Sequence, residues 1–156
     1  MPIERRIYPA IHMAFQTYAG PVAGIADALL PLIQAVRAIG LEPQGPPIAL
    51  FPSVEQDPSA ILARLCVPVD KSFTGTQQLR TIMLGTVEVA VARHCGGYLD
   101  IGEAYEMLSN WIDDEGLTRA EGVSETFVIG PQDGVASEQW VTEVAIRLKA
   151  PNPEDG

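Results

Sequence analysis

The sequence repeats itself at an offset of 76 residues, and this repeat constrains the fold more than any other feature. The shift takes Gly20 onto Gly96 and superposes two amphipathic segments. Each segment ends in a glycine–leucine pair, at residues 40–41 and 116–117. Two unrelated amphipathic segments would match in apolar spacing by chance, but not in both terminal pairs. We therefore expect two similar modules.

Each module is predicted to contain a strand, a helix and two further strands, from apolar periodicities of two and of three to four residues. The first half places these elements at residues 10–19, 25–39, 47–52 and 60–69. The second half places them at residues 85–94, 99–115, 122–130 and 139–149. Turn residues and polar side chains fill residues 70–84, which are predicted to connect the halves.

The predicted elements define a fold class. Strands joined by turns pair antiparallel, and helices that cross back onto a sheet cover one of its faces. The expected fold is α+β, with two βαββ modules related by a pseudo-two-fold axis in a single domain over residues 1–156. Repeat 1 spans about residues 10–69 and repeat 2 about residues 85–149.

The ends of the two helices carry their own signals. Gly40 and Gly116 follow the last apolar positions, where a glycine commonly ends a helix. Pro31 lies inside the first helix and predicts a kink or a late start there. Asp100 and Glu103 have the spacing of a capping box at the start of the second helix.

Acidic residues outnumber basic ones by 20 to 10 in this 156-residue chain, for a formal net charge of −10. The excess lies in residues 97–156, which hold 13 acids and three bases. This balance argues against non-specific binding to DNA or to anionic membranes. It marks an acidic surface for a cation or basic partner or, as we favour, an ordinary solvated surface, since Asp113, Asp114 and Glu115 are typical of a helix end.

Several protein classes are excluded on similar grounds. No apolar run approaches the ~20 residues of a membrane span, and the N-terminal MPIERR has no apolar stretch of a secretory signal. A cytoplasmic location is therefore the default expectation. Cys66 and Cys95 form no CxxC pair, and His12 and His94 are the only histidines, so we expect no metal site.

Four segments together make the sequence resemble a known family. The segment His94 to Tyr98 (HCGGY) is similar to the H-x-G-P-Y signature of GyrI-like small-molecule-binding domains. Further similarity lies in residues 66–69 (CVPV), 124–127 (SETF) and 140–144 (WVTEV). The sequence departs from the family in having Gly97 where proline is usual, and Arg64 where the strand before CVPV often begins with glutamate.

The resemblance implies two repeated βαββ modules that form a curved antiparallel sheet, with two helices on one face and a ligand groove between the modules. Family members serve as effector domains of AraC-type and MerR-type multidrug regulators, as free-standing drug-binding proteins, as gyrase inhibitors, and as hydrolases of reactive cyclopropane-bearing compounds. The binding domain occupies nearly all of this chain. With the first strand predicted near residue 10, no helix-turn-helix is expected before it.

Glu125 is the residue to which the resemblance assigns the centre of the groove. The local pattern supports this placement, because Val123, Glu125 and Phe127 alternate onto one strand face. A carboxylate on an apolar face needs a partner, or its pKa rises, and a lipophilic cation would supply that partner. The alternative is that Val123 and Phe127 face the helices while Glu125 pairs with Arg64 or Arg147 at an edge.

Aromatic side chains are the candidates for the walls of the groove. The resemblance places Trp140 against the ligand and Tyr98 at the groove mouth, whereas Trp111 reads as helix packing. Glu143 is one residue out of phase with Trp140, so we expect it to face away. The ligand-binding candidates are thus Glu125, Trp140, Tyr98, Phe127, Tyr18, Phe51 and Phe15.

The first hypothesis is a stand-alone binding or sensing domain for bulky, apolar and often cationic small molecules, working without a cofactor. The second is a hydrolase that uses Glu125 as general base on a strained electrophile. The third is a protein that acts on gyrase or on a DNA-binding regulator through its acidic surface. Direct contact with nucleic acid or membrane is not expected, and a monomer and a dimer both remain open.

Overall fold

The computed structural model describes residues 3–53, 56–71, 73–76 and 78–149. These residues form one antiparallel sheet and two helices. The helices are α1 (Gly24–Ala38) and α2 (Gly102–Asp114). The strands are β1 (Ile3–Tyr8), β2 (Ile11–Gly20), β3 (Ile48–Phe51), β4 (Ile61–Val69), β5 (Arg80–Leu84), β6 (Val87–Cys95), β7 (Arg119–Ile129) and β8 (Val141–Leu148).

The sheet has an internal two-fold relationship. Its strand order is β1-β6-β8-β7-β3-β4-β2-β5. The counterparts in the two halves are β1 and β5, β2 and β6, β3 and β7, and β4 and β8. Exchanging the two strands of every pair gives the same order read from the other edge of the sheet. The residue pairing obeys the same exchange, because Tyr8 lies opposite Val87 and the 76-residue shift converts this pair into Leu84 opposite Ile11, which also pair. The predicted α+β fold with two pseudo-symmetric modules is confirmed.

Two strands were not predicted from the sequence. β1 precedes the expected first strand, and β5 lies inside the segment expected to be a connection, so each half is ββαββ rather than βαββ. Each is an edge strand that pairs with the other half, β1 with β6 and β5 with β2. An edge strand buries little side-chain surface, and polar residues such as Arg5 and Arg80 interrupt its apolar pattern.

The sheet is strongly rolled. β1 and β2 are six positions apart in the strand order, which in a flat sheet would separate them by about 29 Å. Only Pro9 and Ala10 join them, and the step from Tyr8 to Ile11 spans at most about 11 Å. β5 and β6 are also six positions apart in the strand order, and only residues 85–86 join them, so they must be equally close. The two edges of the sheet therefore approach each other at this end.

Both helices pack on one face of the sheet, here called the helix face. α1 buries Leu29 and Leu32 against β4, and α2 buries Leu108 and Ile112 against β6 and β8. The opposite face, here called the inner face, carries a separate apolar cluster that includes Met13 and other residues of β2 to β5. No helix in the described ranges is long and apolar enough to cross a membrane.

The helix starts differ from the predictions. α1 begins at Gly24, ahead of Pro31, so a late start is wrong. The capping box at Asp100 and Glu103 is also wrong, because α2 follows Ile101 and has no side-chain cap. Asp100 instead lies in the short 3-10 turn Tyr98–Asp100, with its carboxylate 3.2 Å from the His94 ring.

Candidate functional site

Glu125 lies at the centre of the sheet, on the helix face. Its strand, β7, and the neighbouring β3 are the two middle strands. Ala49 is its partner on β3 and Val144 its partner on β8, and both are fully buried. Val123 and Phe127 flank it along β7 and pack with the helices. The surroundings of this carboxylate within the sheet are thus apolar on four sides.

Tyr105 of α2 provides the polar contact of this carboxylate. Its hydroxyl donates a hydrogen bond to Oε2 of Glu125. Tyr105 lies on the apolar stripe of α2, one turn after Ile101 and one turn before Leu108, and this stripe is aimed at the sheet. Sequence analysis missed Tyr105 as a site residue, although a hydroxyl on an otherwise apolar stripe was the available signal.

Burial sets the protonation of this pair. Loss of water raises the pKa of Glu125 above its usual range, while the Tyr105 hydrogen bond and the nearby His94 ring act in the opposite direction. The pKa of Tyr105 is raised by its burial and by the adjacent carboxylate, so its hydroxyl keeps its proton and remains a donor.

No arginine neutralises Glu125, so the edge pairing considered as an alternative is wrong. Arg64 lies on the inner face, where its guanidinium stacks 5.1 Å from the centre of the Phe15 ring. Arg147 lies beside Gly122 on that face. Among the described residues, Glu125 forms no ion pair.

Three of the predicted aromatic residues form one cluster next to Glu125. The ring of Tyr98 is 4.9 Å from that of Trp140 and 5.9 Å from that of Phe127, measured between centres. A backbone hydrogen bond of 2.8 Å from Gly96 to Trp140 ties the loop after β6 to the start of β8. Phe127 is two residues from Glu125 on the same face of β7, which places the cluster beside the carboxylate. Burial raises the pKa of Tyr98, and the charge of Glu125 raises it further.

The other predicted site residues are not part of this three-ring cluster. Tyr18 packs at the start of α1, with its hydroxyl bonded to the carbonyl of Pro21, and Phe51 is buried in the α1 cluster. Phe15 is on the inner face, because strand alternation sends odd-numbered residues of β2 away from the helices. Its assignment to the same groove as Glu125 is therefore wrong.

Two further interpretations agree with the structure. Trp111 packs partly buried against the α2 cluster, as expected of a helix-packing residue. Glu143 faces away from Glu125, on the inner face, where Arg6 and Arg93 bind its carboxylate at 3.1 and 3.0 Å.

Among the described residues, neither a metal cluster nor the buried cysteine contributes to this site. No group of three histidine, cysteine or acidic side chains that could hold a metal occurs in the part of the chain that is described. Burial raises the pKa of the Cys66 thiol to about 12, so it is not a nucleophile at neutral pH. The site at Glu125 combines one carboxylate, one hydroxyl donor and an aromatic cluster.

Solved structures share this fold. The C-terminal domain of EcmrR matches with a TM-score of 0.85 and 17% identity, over 96% of this chain and 98% of that domain. EcmrR in a DNA complex matches with a TM-score of 0.84 and 17% identity, over 96% of this chain and 58% of that one.

Two further solved proteins are more distant. SAV2435 bound to tetraphenylphosphonium matches with a TM-score of 0.63 and 12% identity, over 96% of this chain and 95% of that one. A hydrolase from Listeria innocua matches with a TM-score of 0.66 and 10% identity, over 94% and 91%. All these identities show the fold alone.

Comparison of the sequence with curated proteins finds no significant match. The model of the GyrI-like small-molecule-binding domain, in contrast, matches residues 1–149, which is nearly the whole chain. The match agrees with the two pseudo-symmetric modules of the sheet. The chain belongs to the GyrI-like small-molecule-binding domain family.

Proposed function

We propose that this chain binds bulky lipophilic cations, with Glu125 as the charge partner. The observation that carries the proposal is a carboxylate in an apolar setting whose one polar contact among the described residues is a neutral hydroxyl, that of Tyr105. Such a group is costly to ionise without a counter-charge. A cationic ligand would supply the charge that the described residues do not.

The aromatic cluster supports the same ligand class. Trp140 and Tyr98 are half-buried and offer ring surface next to the carboxylate, and the buried Phe127 packs against Tyr98 from behind. Each ring in good contact with a cation contributes roughly 0.5–2 kcal/mol, and the rings also remove the apolar body of the ligand from water. SAV2435, which shares the fold, was solved with tetraphenylphosphonium, a cation of this kind.

A role in regulation would place the ligand-binding step in this domain. EcmrR has the same fold in its C-terminal domain and forms a complex with DNA. The net charge of −10 opposes direct binding of this chain to DNA. We therefore propose a sensing or sequestering role for small molecules.

The test is a thermal-shift screen of lipophilic cations, matched neutral compounds and anions. A ligand at 100 times its dissociation constant adds about 2.7 kcal/mol to the free energy of unfolding. We expect cations to stabilise the wild type and to lose this effect in Glu125→Gln. The matched control is Glu106→Gln, which removes one negative charge from an exposed position next to Tyr105. Equal stabilisation of both variants by cations contradicts the proposal.

The same screen separates binding from hydrolysis. Each compound that stabilises the protein is incubated with it and then analysed by mass spectrometry. Recovery of unchanged compound supports a binding protein. Products that form with wild type and not with Glu125→Gln would assign the carboxylate to general-base catalysis instead.

A further inference from the structure

The inner face of the sheet holds a cavity of about 1030 Å³ that does not include Glu125. This volume is that of a pocket for a drug-sized molecule. Ser124 and Thr126, the neighbours of Glu125 along β7, line the cavity. The cavity and the Glu125 site therefore lie back to back, on opposite faces of the same two central strands.

The walls of the cavity are mainly apolar. The two crossovers between sheet edges, through Pro9 and through residues 85–86, line one side. The strands supply the rest of the apolar surface, including Ile11, Met13, Ile48, Leu50, Leu84 and Val87. Such a surface favours the apolar body of a ligand over water.

The charged residues of the cavity are not balanced. Glu143 is already neutralised, because Arg6 and Arg93 bind its carboxylate. Arg64 and Arg147 also line the cavity, and neither guanidinium group forms an ion pair or a hydrogen bond within the described residues. Two guanidinium groups are thus left without a carboxylate partner.

The cavity lining contains further hydrogen-bond donors and one further acid. The hydroxyl of Tyr8 is buried near Arg6 and makes no hydrogen bond of normal geometry in the described ranges. Arg64 is held in place over the ring of Phe15 at 5.1 Å. Glu121 is the remaining acid of the lining, and it is exposed to solvent, as Arg64 and Arg147 also are. Donors therefore outnumber free acceptors among the charged groups.

We propose that the inner cavity binds a lipophilic anion, meaning an apolar molecule that carries one carboxylate or sulfonate group. The guanidinium groups of Arg64 and Arg147 bind the acidic group, and charge-assisted hydrogen bonds of this kind are strong. The Tyr8 hydroxyl is a further donor. The ligand class is opposite in charge to that proposed for Glu125, so one sheet separates two sites of opposite preference.

The test uses the fluorescent fatty acid 11-(dansylamino)undecanoic acid, titrated into the full chain. We expect saturable binding of one molecule per chain, and each of the variants Arg64→Gln and Arg147→Gln weakens it by about tenfold. Arg37→Gln is the matched control, because it removes the same charge from exposed α1, away from the cavity. Both this control and Glu125→Gln should bind within twofold of the wild type.

Three results would overturn the proposal. The first is absence of saturable binding by protein whose urea melt is that of a folded chain. The second is equal affinity in all three arginine variants, because any weakening would then follow from the change in net charge of the protein and not from the position of the arginine. The third is a stable dimer in sedimentation that excludes the fatty acid, because the inner face would then belong to a second copy of the chain.

Discussion

Ala49 and Glu125 lie directly opposite each other on β3 and β7, and each occupies the position that the repeat assigns to the other. The 76-residue shift takes 49 to 125, so the pseudo-two-fold axis passes between these two residues. The two-fold relationship therefore places the side chains of Ala49 and Glu125 next to each other on the helix face. Because Ala49 is small, the space there is left to a single carboxylate.

Enlarging the alanine tests this arrangement. Ala49 is fully buried, so Ala49→Leu should cost about 1–3 kcal/mol through overpacking. It should also weaken binding of a lipophilic cation by at least tenfold, because the new side chain fills the space beside Glu125. Urea melts and calorimetric titration measure the two effects. Ala49→Gly is the control and should keep its affinity; full affinity in Ala49→Leu would place the ligand elsewhere.

The raised pKa of Glu125 predicts how stability depends on pH. Between the unfolded pKa near 4.3 and the higher folded pKa, the native state binds more protons than the unfolded state. The free energy of unfolding therefore falls as pH rises through this window. Glutamine has no proton to lose, so Glu125→Gln should be more stable than wild type above the window, and similar to it below.

Urea melts between pH 3.5 and pH 8 check this dependence. Each unit of pKa difference corresponds to about 1.4 kcal/mol. Glu106→Gln, an exposed carboxylate on α2, is the control and should follow the wild type. A wild type that is more stable than Glu125→Gln at neutral pH would show that the carboxylate has a counter-charge already.

Tyr105 should set the pH range of cation binding. Its hydroxyl stabilises the ionised Glu125, so Tyr105→Phe should raise the pKa of that carboxyl further. Cations bind the ionised form, so affinity increases with pH through the Glu125 pKa. In the variant, the increase in cation affinity should therefore occur at a higher pH. At pH values within the wild-type transition, the variant should bind the cation about two- to tenfold more weakly than the wild type. Superimposable titration profiles would assign Tyr105 a packing role only.

The two tryptophans should separate stability from affinity. Trp111 packs on the α2 cluster, so Trp111→Ala should lower the free energy of unfolding by up to about 3 kcal/mol with little change in affinity. Trp140 contacts Tyr98 beside the carboxylate, so Trp140→Ala should lose about tenfold or more in affinity and less in stability. Urea melts and titration with a cationic dye provide both values. The reverse outcome would invert our assignment of these residues.

Periodicity and the repeat were sufficient for most of the fold. The alternation of Val123, Glu125 and Phe127 predicts that they share one face of β7. The structure places all three on the helix face, which for Val123 and Phe127 was only the alternative interpretation of the sequence. The glycine–leucine pairs located the ends of both helices. These features are local, so a single sequence contains them.

The missed features depend on contacts between the halves. β1 pairs with β6 and β5 pairs with β2, and each partner lies between about 65 and 90 residues away in the chain. Nothing in the residue pattern of β1 or β5 indicates this pairing. The alternation around Phe15 correctly predicts a strand, but it does not show whether the odd-numbered or the even-numbered residues of β2 face the helices. The packing of α1 decides this. The Tyr105 hydrogen bond joins a helix to a strand 20 residues on, which spacing alone does not show.

The most direct test of the central proposal is calorimetric titration of tetraphenylphosphonium and of neutral triphenylphosphine oxide into wild type and Glu125→Gln at pH 7.5. Both ligands contain a triphenylphosphorus group, and the neutral compound has an oxygen in place of the fourth phenyl ring and carries no net charge. We predict that the substitution weakens the cation by at least tenfold and leaves the neutral compound within twofold, because only the cation uses the carboxylate. Equal losses for both ligands, or no loss for either, would contradict a role for Glu125 as the charge partner.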